Sequence, residues 1–176
     1  MKKYILFLRG INVSGKNMIS MKELKSYFEG IGFEDVVTYI QSGNIVFNYQ
    51  ETSYENLKTQ IESLVLQKFG LLIVAFITQK TVLENILENQ PFKNNEDSKQ
   101  IYFTFLERKL TKEETQKLTS NQALPDEYVV SQDVIYINCI NGYGKTKLTN
   151  TFFEQKLKIS ATTRNWNTLV KMIELG

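Results

Sequence analysis

The spacing of apolar residues predicts a first α/β unit over residues 1–80. Four runs alternate or are continuously apolar as strands are, namely "KYILFL", "VVTYI", "NIVFNY" and "LLIVAFI". Two Ser/Thr–Glu pairs, Ser20 with Glu23 and Thr52 with Glu55, each precede apolar residues at helical spacing and are typical of capping boxes. The "QSGN" segment predicts a hairpin turn between the second and third strands. The predicted order is β-α-β-β-α-β, the split βαβ plan.

Residues 81–176 predict a second unit that is a variant of the first. It opens with a short helix from Thr81 to Asn89 and a polar linker, "KNNEDSK". Strands "IYFTFL", "EYVVS" and "VIYINCI" follow, with a helix capped by Thr111 and Glu114, a tight "QD" turn, and a helix at "TNTFFEQKL". Where the first unit has its last strand, we expect a helix from about Thr163 to Leu175, which gives a βαββα unit with additional helices. The apolar stripe of that helix is Trp166, Leu169, Val170 and Ile173.

Three separated motifs, "LRGINVSGKNMISMKEL", "TYIQSGNIVF" and "TTRNWNTLVKM", together resemble the uncharacterised bacterial family catalogued as domain of unknown function 1697. The resemblance spans nearly the whole chain. It implies a small cytoplasmic bacterial protein of two fused ferredoxin-like α/β units, an α+β fold with antiparallel-containing sheets and packed helices. It implies no activity. The family commonly has Gly where this chain has Ser14.

Composition predicts a cytoplasmic protein without a membrane segment. The chain has 176 residues, of which 42% are hydrophobic, and its longest apolar run, "FGLLIVAFI", is shorter than a bilayer span. Arg9 interrupts the opening apolar stretch before it reaches the length of a signal peptide. A single cysteine, Cys139, cannot form an internal disulfide, which fits a reducing compartment. A net charge of +2 gives no strong field for a polyanion, so nucleic-acid binding would need a local basic patch.

The absence of histidine excludes several classes of chemistry. A chain with no imidazole has no histidine general base, no Ser/His or Cys/His dyad, and no histidine-ligated metal. An enzyme would have to use Lys16 or a carboxylate for proton transfer, and no paired constellation of such groups compels that interpretation. The sequence therefore assigns no catalytic residue, metal, cofactor or oligomeric state.

The segment "RGINVSGKNMIS" comes within one residue of a phosphate-binding loop. Gly10 and Gly15–Lys16 have the required spacing, but Asn17 stands where the loop has Ser or Thr. Such a loop also needs a helix that begins at its lysine, whereas the predicted cap here is Ser20. We expect that it is not a nucleotide loop. Its glycines and asparagines fit a plain turn, but Arg9 at the end of a buried strand does not, and a ligand or interface role stays open.

Two segments of the second half carry further candidates. In "NGYGKTKLTN", Lys145 and Lys147 follow glycines between a strand and a helix, and the alternative is an ordinary turn with solvated lysines. In "TTRNWNT", Thr162 or Thr163 is expected to cap the last helix and to leave free amides beside Arg164, an arrangement that favours anions.

The expected function is recognition of a phosphate-bearing or other anionic ligand, such as a nucleotide or phosphorylated metabolite, at polar loops of the two halves. Arg9, Lys16 and Arg164 should then lie near one another. One alternative is a nucleic-acid-binding protein with a local basic patch. Another is a scaffold or interaction protein without a ligand. The expected binding residues are Arg9, Asn12, Lys16, Asn17, Lys145, Lys147, Arg164 and Asn165.

Overall fold

The computed structural model describes residues 1–93, 97–119, 125–131 and 133–176. In this part of the chain, helices and two four-stranded antiparallel sheets form an α+β fold. The strands are β1 (Lys2–Leu8), β2 (Glu34–Tyr39), β3 (Asn44–Tyr49), β4 (Ala75–Thr78), β5 (Ile101–Leu106), β6 (Glu127–Ser131), β7 (Val134–Asn138) and β8 (Ala161–Asn165). The helices are α1 (Met21–Gly30), α2 (Tyr54–Phe69), α3 (Lys80–Glu88), α4 (Lys112–Thr119), α5 (Asn150–Leu157) and α6 (Trp166–Leu175).

The chain packs as two compact units, which divide within α3 and α6. The first comprises Met1–Glu84 with Lys171–Gly176, and the second comprises Asn85–Val170. A boundary between domains after residue 80 stays a prediction.

The first unit has the βαββαβ order predicted from the sequence. Its strands lie in the order β2-β3-β1-β4, with Leu6 opposite Ile45 and Leu8 opposite Ala75. One face of the sheet packs against α1 and α2 through a core that includes Tyr4, Leu6, Phe47, Leu24, Phe28, Leu57 and Ile61. The opposite face is also buried, as the 0% exposure of Ile5 and Phe7 shows. Strand β1 therefore has no open face on which bases could stack, as they do on sheets of the RNA-binding type.

The second unit repeats this plan completely. Its strands lie in the order β6-β7-β5-β8, and β8 pairs with β5 so that Phe103 is opposite Arg164. The predicted start of the last helix, at about Thr163, is wrong, because residues 161–165 form a strand. Two threonines favour extended backbone, and Thr162 and Arg164 are buried on one face while Thr163 points to the other. A polar strand of this kind lacks the apolar alternation by which strands are predicted.

Equivalent main-chain hydrogen bonds close the same end of both sheets. The last residue of β1, and likewise that of β5, donates to the turn before β3 or β7. The residue after it donates to the segment before β4 or β8. The pairs are Leu8 N–Gly43 O (2.8 Å) and Leu106 N–Asp133 O (2.9 Å), then Arg9 N–Val74 O (2.9 Å) and Glu107 N–Ser160 O (3.1 Å). The two units thus share their topology, with Arg9 equivalent to Glu107.

A glutamate on the second helix of each unit holds the start of its last strand. Glu62 Oε1 accepts from Ala75 N at 2.9 Å, and Glu154 Oε1 accepts from Ala161 N at 2.9 Å. A buried main-chain amide without a hydrogen-bond acceptor costs free energy. The bond to the glutamate therefore helps to define where the last strand begins.

Two smaller predictions in the first unit are wrong. "LLIVAFI" forms a strand only from Ala75, because β1 offers no partner beyond the Arg9–Val74 bond, and Leu72 is 86% exposed. Helix α2 is capped by Ser53, whose hydroxyl accepts from Asn56 N, and not by Thr52. In the second unit, the Thr111–Glu114 capping box is confirmed, since both of its hydrogen bonds form. Residues 94–96 of the predicted linker and Gln132 of the predicted "QD" turn lie outside the described residues.

Candidate functional site

The segment that resembles a phosphate loop is a small hairpin. Asn12 N donates to Asn17 O at 3.1 Å, and Lys16 N donates to Val13 O at 2.9 Å. The two residues of its turn, Ser14 (φ 50°) and Gly15 (φ 74°), both have positive φ, as a two-residue type I′ turn requires. We call residues 12–18 the arm. Residues 13–18 are all exposed.

Two asparagine side chains hold the arm at its base. Asn12 Nδ2 donates to Ile19 O at 3.0 Å and to Gln41 O at 2.8 Å, while Asn12 Oδ1 accepts from Ile19 N at 2.7 Å. Asn17 Nδ2 donates to Gly10 O at 2.9 Å. These predicted binding residues therefore shape the arm, and their side-chain amides already bond within the unit.

The arm does not have the geometry of a nucleotide loop. Helix α1 begins at Met21 and its cap is Ser20, whose hydroxyl accepts from Glu23 N at 3.3 Å. Lys16 directly follows the turn of a hairpin and does not lie at the first turn of a helix, so the helix amides do not meet a ligand beside it. The prediction that this segment is not a phosphate loop is confirmed.

The arm is an addition to the connection that this fold needs. In the second unit only residues 108–110 separate Glu107 from Thr111, which caps α4. In the first unit, residues 10–19 separate the equivalent Arg9 from the cap Ser20. The second unit joins the equivalent strand and helix, β5 and α4, by a much shorter segment. The need to connect β1 to α1 therefore does not account for the arm.

The arm presents one cation between two apolar side chains. Lys16 is exposed, Val13 is 55% exposed and Met18 is 66% exposed. By contrast, Ile11 and Ile19, which flank the arm, are 0% and 3% exposed and belong to the core of the unit. The base is thus anchored by packing, and the tip faces solvent. Arg9, at the end of β1, is half-buried.

In the second unit, Lys145 and Lys147 are both exposed. Lys145 ends a short 3₁₀ turn, Tyr143–Lys145, and the ring of Tyr143 stacks on Tyr102 at 4.8 Å. The glycine before this turn, Gly142, has φ 81°. The lysines therefore project from a turn whose aromatic residue is packed against the sheet.

Beneath this turn lies a polar cluster that the sequence did not predict. Thr163 Oγ1 is 2.7 Å from Thr104 Oγ1 and 2.6 Å from Asn150 Oδ1. Burial raises the pKa of Tyr143, although a hydrogen bond with Thr163 opposes the shift. These residues come from β5, β8, α5 and the 3₁₀ turn, and no local pattern links them.

Arg164 and Asn165 both make hydrogen bonds within the second unit. Arg164 is only 8% exposed, and its Nη1 donates to Thr162 Oγ1 and to Thr163 O, both at 2.9 Å. Burial lowers the pKa of Arg164 to about 10. Asn165 Oδ1 accepts from Thr168 N at 2.8 Å, so Asn165 caps α6. The predicted caps Thr162 and Thr163 are wrong, because both lie in β8. The proximity of Arg9, Lys16 and Arg164 stays a prediction.

Acidic and sulfur ligands are not clustered in the described ranges. No group of three or more Cys, Asp or Glu residues there is placed to hold a metal ion. Cys139 is buried, and desolvation raises the pKa of its thiol to about 11, which disfavours the reactive thiolate. Among the described helices, none combines the length and apolar character needed to cross a bilayer.

Comparisons with known proteins support the fold and the family. The conserved bacterial protein SP0830 from Streptococcus pneumoniae has a similar structure, with a TM-score of 0.76, 22% sequence identity, and coverage of 98% of this chain and 97% of that one. No curated protein matches the sequence. The model of one family, described as a protein of unknown function (DUF1697), matches residues 1–136. The chain therefore belongs to the DUF1697 family.

Proposed function

We propose that this protein binds a phosphate-bearing or otherwise anionic ligand through the arm of its first unit. The observation that carries the proposal is the contrast between the two βα connections. The first unit replaces a three-residue segment by a hydrogen-bonded hairpin whose tip is exposed, and the fold of the second unit forms without one. An ordered surface element that the fold does not need is a candidate for binding.

The charge of the arm and of the residues that flank it favours an anion. Residues 9–19 contain Arg9 and Lys16 and no acidic residue. An ammonium group on an ordered turn loses less conformational freedom on binding than one on a mobile loop, and its hydrogen bonds to phosphate or carboxylate oxygens are charge-assisted. Lys16 is the residue that we expect to contact the ligand directly.

Backbone strain within the arm supports a role beyond connection. Asn12 (φ 52°), Ser14 (φ 50°) and Asn17 (φ 49°) all lie in the left-handed region, which non-glycine residues enter at a cost. Such conformations persist only where the surroundings enforce them, and they concentrate at functional sites. Here the side-chain hydrogen bonds of Asn12 and Asn17 hold their own conformations, and the two-residue turn requires that of Ser14.

The four candidates in the second unit have different parts in this proposal. Lys145 and Lys147 are exposed and are proposed as a separate, weaker anion contact. Arg164 and Asn165 bond within their own unit, which favours a structural role for both, in holding β8 and the start of α6.

Calorimetric titration tests the proposal. Wild-type protein would be titrated with inorganic pyrophosphate, a nucleoside triphosphate, a sugar phosphate and a ten-nucleotide single-stranded DNA. For the ligand that binds, Lys16→Gln should weaken affinity about tenfold or more, which corresponds to the loss of one charge-assisted hydrogen bond. Lys112→Gln is the matched control, since it removes an exposed lysine of the second unit that is not among the candidate ligand contacts. Equal affinity of wild type and Lys16→Gln, or no binding of any ligand, would contradict the proposal.

A further inference from the structure

We propose that the arm is one side of a docking surface for a peptide segment of a partner protein that carries both carboxylates and apolar side chains. This inference rests on the proposed function and specifies the ligand class of the same site. It draws on the segments that surround the arm, which the sequence did not connect with it.

Three segments leave the same end of the first sheet. Residue Phe7 of β1 lies opposite Asn44 at the start of β3, and Leu8 lies opposite Ala75 at the start of β4. The segment after β1 (residues 9–19), the turn before β3 (40–43) and the approach to β4 (70–74) therefore meet at one end. We call this set the arm end.

Hydrogen bonds and close packing hold these segments together. The arm bonds to the turn through Asn12 Nδ2 and Gln41 O, and Arg9 N bonds to Val74 O. A Cβ placed on Gly43 would lie 2.7 Å from Leu8 Cβ and 2.9 Å from Ile11 Cδ1, so the turn packs directly on the base of the arm. The arm end is consequently an ordered surface and not a set of independent loops.

Each segment of the arm end exposes large apolar side chains. Val13 is 55% exposed, Met18 66%, Ile40 53% and Leu72 86%. Ile40 also has φ 50°, a conformation that a β-branched residue adopts only under constraint. Exposed apolar side chains grouped at one end of a unit are typical of a surface that contacts another macromolecule.

Charge decides which occupant fits this surface. The three segments carry Arg9 and Lys16 and no acidic residue. A partner must therefore supply negative charge beside apolar groups. Single-stranded nucleic acid binds by stacking its bases on aromatic side chains, and residues 9–19, 40–43 and 70–74 contain no aromatic residue. A peptide segment with glutamate or aspartate beside leucine-like residues meets both requirements.

The test uses a fluorescein-labelled ten-residue peptide in which glutamate and leucine alternate, with fluorescence anisotropy as the readout. Two comparison peptides replace all glutamates by glutamine or all leucines by serine. Leu72→Ser should weaken binding of the first peptide about fivefold and Lys16→Gln about tenfold, in line with one lost apolar and one lost ionic contact. Val129→Ser is the matched control, because Val129 is 41% exposed on β6 of the second unit and should leave affinity unchanged.

Several results would overturn the inference. One is that the serine-substituted peptide binds as tightly as the alternating glutamate–leucine peptide. Another is that Leu72→Ser and Val129→Ser bind the alternating peptide with equal affinity. A third is that the protein binds phosphatidylglycerol vesicles or an oligonucleotide in preference to the peptide. A Lys16-dependent pyrophosphate interaction together with any of these results would leave the proposed function standing. If wild type and Lys16→Gln instead bound pyrophosphate with equal affinity, the proposed function itself would be contradicted.

Discussion

The side-chain amide of Asn12 donates a 2.8 Å hydrogen bond to the main-chain oxygen of Gln41, and so joins the arm to the turn between β2 and β3. The same side chain also bonds both main-chain groups of Ile19. One residue thus ties together the two ends of the arm and a separate turn. This explains how residues 13–18 can be exposed and still hold a defined conformation.

We expect Asn12→Gly to lower the free energy of unfolding by about 1–3 kcal/mol, since it removes these hydrogen bonds, two of which are partly buried. Glycine tolerates the positive φ of 52°, so the variant isolates the hydrogen bonds from backbone strain. Urea denaturation gives the value. Asn17→Gly is the comparison, with a smaller expected loss, because the Asn17 side chain makes one such bond, to Gly10 O. Equal stability of Asn12→Gly and wild type would show that the bonds to Ile19 and Gln41 do not hold the arm.

Gly43→Ala should be strongly destabilising. Its added Cβ would lie 2.7 Å from Leu8 Cβ, and its φ of 72° is unfavourable for alanine. We expect a loss of about 2–4 kcal/mol from strain and overpacking combined. Gly10→Ala is a matched control, because Gly10 has φ 69° but no atom within 4 Å of the added Cβ. That variant should lose only about 1 kcal/mol. Similar losses for both variants in thermal denaturation would contradict the close packing of the turn on the arm base.

The second unit should lose stability in acid through Glu114. The bidentate hydrogen bonds from Arg108, and a further bond from Thr111 N, lower the pKa of Glu114 from 4.5 to about 2. A carboxyl whose folded pKa is depressed stabilises the fold above its ordinary pKa, and this contribution is lost as pH falls from about 4.5 towards 2. Melting temperatures of wild type and Glu114→Gln should therefore differ at pH 6 and converge near pH 2. A constant difference across this range would show that the ion pair does not form in solution.

Arg164 should contribute to folding more than to ligand binding. Arg164→Ala removes the hydrogen bonds to Thr162 and Thr163 and leaves a cavity, so we expect a loss of about 2 kcal/mol or more. Arg164→Met keeps much of the side-chain volume without a buried charge and should lose less. Chemical denaturation of the two variants provides the comparison. If Arg164→Ala were as stable as wild type, the structural role of Arg164 would be contradicted. Arg164 would then again be a candidate ligand contact.

The regular part of the fold could be predicted because its signals are local. Residues 44–49 and 101–106 read as strands and form β3 and β5 within those bounds, and Ser20 and Thr111 cap helices as their spacing indicates. Strand β8 could not be predicted in this way. It is specified by pairing with β5, which is distant in sequence, and its polar residues are satisfied by partners such as Thr104 and Asn150.

The candidate site shows the same division. The sequence indicated that the segment around Gly15–Lys16 is not a phosphate loop, because the cap residue Ser20 lies beyond it. It could not indicate the hairpin, since serine, and not the typical asparagine, aspartate or glycine, occupies the first position of the type I′ turn, at Ser14. The exposure of Leu72 was also hidden, because an apolar run reads as a buried strand until the end of its partner strand is known.

Backbone amide NMR during titration with inorganic pyrophosphate tests the central claim most directly, since it reports which residues meet the anion. We expect the largest shift changes at residues 13–18, with smaller changes at Gln41 and Ser42, and their loss in the Lys16→Gln protein. Changes centred on Lys145 and Lys147, or elsewhere outside the arm, would contradict the claim that the arm is the primary anion-binding element.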